Sequence, residues 1–266
     1  MIYHSNVSEN VPRHSWDKWI ALGFVAAIIG GESMGAFWGL VPGLMAQAAL
    51  ILALLCVSAV MPTMRDSQRV RKFLMALALV ALVRVLSAMM PVRYVPVIYW
   101  YALVGVPVWL ASILTLRALE FSWSEIGWAW KVDGTQLLIG LLGLPLSIVG
   151  YITLQPRPLA NLDAMQMLLA ALILIVFTGW LEEFVFRGVL LKTASDAFGK
   201  GGVLISSAIF ASMYFGTLAV SYIFFMAFVG LLFGWIAQRT RSGWGVALAH
   251  GLMNVGMFLV LPFLTQ

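Results

Sequence analysis

The residues best equipped for chemistry are Glu182, Glu183 and Arg187, in the stretch GWLEEFVFRGVLLK that runs from Gly179 to Lys192. Glu183 and Arg187 are four apart. On a helix they share one face with the acid on the N-terminal side, the better order for an ion pair. Glu182 is turned about 100° away and is not the natural partner of the arginine. Such spacing leaves one carboxylate neutralised and the other free to face a cavity. A carboxylate in an apolar, partly dry site is suited to act as a general base.

Two further pairs have the same spacing. HGLMN puts His250 and Asn254 on one helix face, and FASMY does so for Phe210 and Tyr214. Both spacings set polar side chains on an otherwise apolar helix face. The alternative reading of a lone histidine on an apolar helix is a satisfied core residue.

These residues need elements to position them, and the composition says which. The chain has 266 residues, 62% hydrophobic and 10% charged. Soluble domains are about 25% charged, so most of this surface faces something other than water. Apolar runs of about 18–20 residues, the length a helix needs to cross a bilayer, recur throughout. The expected fold is all-α, a polytopic transmembrane bundle of eight or nine spans. Nine candidates are read at 18–40, 42–61, 73–90, 96–116, 135–154, 164–190, 202–219, 220–238 and 243–264. LEFSWSEIGWAWKVDG, 119–134, is expected to lie at the interface, because Trp123, Trp128 and Trp130 stand there among polar residues. It separates residues 1–134 from a core at 135–264 that carries the motifs.

The net charge of +5 comes from basic residues in short loops between apolar runs, which fits membrane topology better than nucleic-acid binding. With the N-terminus inside and nine alternating spans, Arg13, Lys18, Arg65, Arg69, Arg71, Lys72, Arg117, Lys131, Lys192, Lys200, Arg239 and Arg241 fall on the cytoplasmic side. Arg93 and Arg157 fall outside, and Arg84 and Arg187 lie within spans. The polar N-terminal residues lack the basic region and cleavage site of a signal peptide, so the first span is expected to be retained. Cys56 is the single cysteine, which excludes an internal disulfide.

Charges inside spans line a site or pair with one another. Glu32 and Arg84 both lie about 18–21 Å from the cytoplasmic ends of their helices at 1.5 Å per residue, which makes an ion pair between the first and third spans an expectation. The same count puts Glu182 at about 15 Å, Tyr214 at about 18 Å and His250 at about 11 Å, deep enough to meet in one polar pocket. Against that stands a charged turn at the membrane surface, since Lys192 is close to Glu182 along the chain.

EEFVFR has the form EExxxR, HGLMN the form HxxxN, and Phe210–Tyr214 falls where FxxxH is found, so residues 135–264 resemble the CPBP intramembrane endopeptidases. This group comprises bacterial Abi-type proteins and eukaryotic CAAX prenyl endopeptidases. The resemblance implies peptide hydrolysis within the membrane, at a site open to the cytoplasm. It implies that Glu182 activates water, that Arg187 holds Glu183, and that His250 and Asn254 polarise the carbonyl and stabilise the oxyanion. Tyr214 departs from the pattern: a phenol donates to an oxyanion but is a poor zinc ligand or proton shuttle. Glu182, His250 and Asn254 offer one imidazole, so either no tightly held metal or a weakly held divalent ion such as zinc is expected.

The implied partners are membrane lipid and a peptide or protein substrate in or at the membrane, with no nucleic acid. The implied location is a bacterial cytoplasmic membrane, spanned several times. Two alternatives stay open. One is a catalytically weak relative acting as an immunity, regulatory or chaperone-like protein, which Tyr214 favours. The other is an ion-coupled transporter using the buried acids, against which stands the lack of visible internal repeats.

Overall fold

The structure is a computed structural model, and it describes residues 15–61, 65–89, 95–130, 133–156 and 162–265. His4, Arg13, His14, Arg93, Lys131 and Arg157 lie outside the described residues. Among the described residues there is no strand, and eight helical stretches are long and apolar enough to cross a membrane. We number the helices α1 Ser15–Phe37, α2 Leu40–Val60, α3 Arg65–Met89, α4 Val97–Ala118, α5 Gly134–Leu154, α6 164–198, α7 Gly202–Ser212, α8 Val220–Thr240 and α9 Trp244–Leu264. Many large apolar side chains face outward, as hydrocarbon solvent allows: Leu52, Leu103, Leu138, Leu168 and Phe224 are all exposed.

The expected spans 164–190 and 202–219 are one helical stretch, Ala164–Thr217, folded back on itself. A 3-10 turn, Gly199–Gly201, makes the reversal. Ser206 then donates to the carbonyl of Phe186 at 3.0 Å, a contact only two antiparallel passes can make. The first pass runs eight residues further than expected, to Phe198, with Lys192 and Asp196 paired at 2.5 Å in its last turns. The second pass is short: its α-helix ends at Ser212, and a 3-10 turn, Phe215–Thr217, leads to α8.

α6 is not a uniform α-helix. Wider π-helical turns occupy Ile175–Trp180 and Phe184–Leu190, and Leu181–Glu183 is the only α-turn between them. A further π-turn, Gly256–Val260, follows the HGLMN stretch in α9. Such turns are rare and concentrate at functional sites, because they rotate side chains away from the regular 3.6-residue period.

The segment after α4 is an irregular chain of turns, as its polar tryptophans require. Trp123 and Trp130 are exposed, consistent with an interfacial belt. Trp128 is turned inward and buried, 5.4 Å from the ring of Phe184 and 5.2 Å from that of Trp244. Phe184 directly follows the two glutamates and also meets Trp109 and Trp123. The segment is therefore folded onto the motif helix rather than only lying on a membrane surface.

Candidate functional site

The close approach of α6 and α9 is made by glycine. A Cβ at Gly179 would sit 2.6 Å from the Cα of Gly251 and 2.9 Å from the carbonyl oxygen of Ala247. Only bare backbones fit this crossing, and small residues let membrane helices approach that closely. Gly251 adjoins His250, and Glu183 lies four residues beyond Gly179, so the crossing sets the imidazole beside the acids.

Glu183 is fully buried. Its Oε1 accepts from Nη1 of Arg187 at 2.7 Å and faces Nδ1 of His250 at 2.7 Å. With a carboxylate at Nδ1, that nitrogen carries the proton, and Nε2 of the neutral ring is left as an acceptor. Arg187 is held from the other side by Phe210, whose ring centroid lies 4.1 Å from the guanidinium carbon. Phe210 also meets Phe186 and His250 edge-on. The phenylalanine of the second motif is thus a platform for the first and third.

Glu182 is placed differently. Its side chain is 32% exposed, whereas that of Glu183 is 0% exposed. The Tyr214 hydroxyl donates to Oε2 of Glu182 at 3.1 Å, and Nε2 of His250 is 3.8 Å from the same oxygen. Glu182 lines a cavity of about 320 Å³ between α3, α4 and α6. Tyr101, Trp100 and Ser87 add polar groups to its wall, and Val104, Val108 and Phe177 add apolar surface. His250 Nε2 has no hydrogen-bond partner among the described residues.

The structure thus brings Glu182, Glu183, Arg187, Tyr214 and His250 into one connected cluster. Two contacts were not readable from the motif spacing. The short bond of His250 is to Glu183, not to Glu182. The amide nitrogen of Asn254 donates to the Thr178 hydroxyl at 2.8 Å, and that hydroxyl donates on to the carbonyl of Leu174. Thr178, Tyr101 and Phe177 carried no motif signal; Thr178 is one turn before Glu182 in an apolar run, where a hydroxyl is the only local hint. Among the described residues no group of three His, Cys, Asp or Glu side chains is placed to hold a metal ion.

The second intramembrane pair is also formed. Arg84 Nε donates to Glu32 Oε1 at 2.9 Å, and Nη2 lies 2.6 Å from Oε2, a two-pronged contact between α1 and α3. Gln47 of α2 adds a bond to Glu32 Oε1 at 2.9 Å.

Fold and site together define a multi-pass helical membrane protein with a glutamate-centred polar site inside the bundle. Residues 164–256 match the family model of type II CAAX prenyl endopeptidases, Rce1-like. That stretch holds all three motifs, and the match supports a CPBP-type, CAAX-protease-like family, whose members are proteases. No curated protein and no solved structure matches the chain.

Proposed function

We propose that this protein is an intramembrane endopeptidase in which Glu182 activates water against a peptide carbonyl held in the cavity between α3, α4 and α6. The observation that carries the reading is the inequality of the two glutamates: Glu183 is sealed between Arg187 and His250, while Glu182 is exposed on the cavity wall. Glu182 Oε2 lies 3.8 Å from His250 Nε2, which sets the buried imidazole directly behind the carboxylate that takes the proton.

The water oxygen bonds to the carbonyl carbon as Glu182 takes one of its protons. The carbonyl oxygen becomes an oxyanion. Collapse of the tetrahedral intermediate breaks the C–N bond, and the proton held by Glu182 passes to the leaving nitrogen. Tyr214 is within the site as a neutral donor. Asn254 keeps one amide hydrogen beyond that given to Thr178. His250 donates to the oxyanion only when protonated, because its Nδ1 proton serves Glu183. Glu183 and Arg187 act by fixing the ring of His250.

The substrate class is a membrane-associated or lipidated peptide, presented from membrane lipid. A donor set with one imidazole is short of a tight zinc site, so hydrolysis is expected to survive chelation. The basic ends of the described helices, with Lys18, Arg69, Arg117, Lys192 and Arg239, support an N-terminus on the cytoplasmic side, and the membrane is read as a bacterial cytoplasmic one.

The test is cleavage of a quenched fluorescent, membrane-anchored peptide by the protein in nanodiscs. Full activity in Glu182→Gln sinks the reading. Tyr214 favours a second reading, a relative with weak or lost catalysis that works by binding. Tyr214→His run in parallel separates the two: a rise in cleavage speaks for a protease core, and a cellular phenotype indifferent to both changes speaks for a binding protein.

A further inference from the structure

We infer that Arg84 is a positioning residue for Tyr214, and that the Glu32–Arg84 pair of the N-terminal helices belongs to the machinery of the Glu182 site. Its catalytic consequence rests on the reading above; its structural content does not.

A pair that only locks α1 to α3 is complete once Arg84 and Glu32 meet. Arg84 does more. Its Nη2 also donates to the backbone carbonyl of Met213 at 2.5 Å, across 129 positions of sequence. Met213 is the residue just past the end of α7, where the last carbonyls have no partner within the helix. A guanidinium at that end satisfies one of them and complements the negative end of the helix dipole.

The next residue is Tyr214. Its backbone has left the helix, with φ −98° and ψ 3°, in the sparsely populated bridge region. Its ring direction therefore depends on what holds the turn. The ring meets Phe210 and Tyr222 edge-on, at 5.4 and 5.6 Å. Glu32, Gln47, Arg84 and Gly216 are among the residues that line a nearby cavity of about 90 Å³. Met213 and Tyr214 also pack against the apolar core, and Arg84 supplies the polar part of what holds the turn. The connection runs from Gln47 to Glu32, to Arg84, to the Met213 carbonyl, and through Tyr214 to Oε2 of Glu182.

The margin is small. The Tyr214–Glu182 bond is 3.1 Å long, and a shift of about 1 Å breaks a hydrogen bond. Misplacement on that scale costs about a hundredfold in rate when it reaches the reacting groups.

The test uses full-length protein in nanodiscs with its tyrosines ¹³C-labelled at the phenolic carbon. There are seven tyrosines, so the spectrum is sparse, and Tyr214→Phe assigns the resonance of interest. Glu182→Gln is expected to shift it. Arg84→Met is expected to shift it as well, Arg84→Lys to restore at least half of the change, and Glu32→Gln to move it by less. The remote Tyr151 resonance reports an intact fold. In the cleavage assay, Arg84→Met is expected to lower kcat ten- to a hundredfold with KM unchanged. A Tyr214 resonance that stays in place in folded Arg84→Met and Glu32→Gln overturns the inference. If Arg84→Met does not fold, Arg84→Lys and Glu32→Gln decide it by the same signal. If the wild-type protein cleaves nothing, the functional reading fails while the Tyr214 signal still decides this one.

Discussion

Among the described residues, two clusters of charge lie inside this bundle, and they are built to different rules. Around Glu32 both carboxylate oxygens are engaged, by Arg84 on two prongs and by Gln47. Around Glu182 and Glu183 the partners are unevenly divided. Arg187 and His250 both bond to Glu183, and Glu182 keeps one hydrogen bond, from a tyrosine. A saturated pair fixes helices; an unsaturated carboxylate on a cavity wall is free to act on something else. The uneven division marks the site more than the number of charges does.

The sharpest break between the clusters comes from Glu182→Gln. It is expected to lower cleavage by about a hundred- to ten-thousandfold, the range for a lost general base. The melting temperature in nanodiscs should hardly move, because the amide still accepts from Tyr214. Glu183→Gln should also lower the melting temperature, because it weakens the partner of a buried guanidinium, at about 3–5 kcal/mol. Next come Glu32 and Arg84. Glu32→Leu alone should cost about 3 kcal/mol, and pairing it with Arg84→Met should recover only part of that: an apolar replacement of a whole buried pair is often neutral, but here it leaves the Met213 carbonyl without its donor. If the double variant recovers fully, the pair holds only the two helices.

A smaller effect is expected at Gly105, where an added Cβ would lie 2.3 Å from a ring carbon of Phe177. Gly105→Ala should push that ring into the cavity, cost about 1–3 kcal/mol of stability, and slow bulky substrates more than small ones. Cleavage of a graded peptide series measures this, with Phe177→Leu as the compensating change. The smallest effect is at the surface. Glu125 accepts from the backbone N–H of Ser122 at 2.8 Å and from its hydroxyl at 2.7 Å, which holds its pKa below the usual carboxylate range. Its contribution is present above the unfolded value of about 4.3 and is lost as pH falls through the lowered folded value. Ser122→Ala should raise the Glu125 midpoint in an NMR titration and leave stability at neutral pH nearly unchanged.

Much of the site was legible along the chain, because helical spacing is local. The Glu183–Arg187 pair follows from a separation of four. The Glu32–Arg84 pair was reachable by counting residues inward from basic helix ends. The partner of His250 was not. Depth counting brings the ring near both acids, but choosing between them depends on the Gly179–Gly251 crossing and on π-turns either side of Leu181–Glu183, and both arise from packing between distant segments. The burial of Trp128 was not legible either: its polar neighbours describe the segment, while Phe184 and Trp244 decide where the ring packs.

Composition and local spacing establish that the chain spans a membrane repeatedly, that its charges there are few, and which of them can pair within one helix. Those properties depend on composition and on contacts three or four residues apart. Packing between distant helices sets the rest: Glu183 is sealed and Glu182 exposed, Asn254 bonds to Thr178, and Arg84 reaches the turn before Tyr214. Those choices belong to helix crossings, where the backbones' distance and rotation settle which of several chemically suitable partners is within 3 Å.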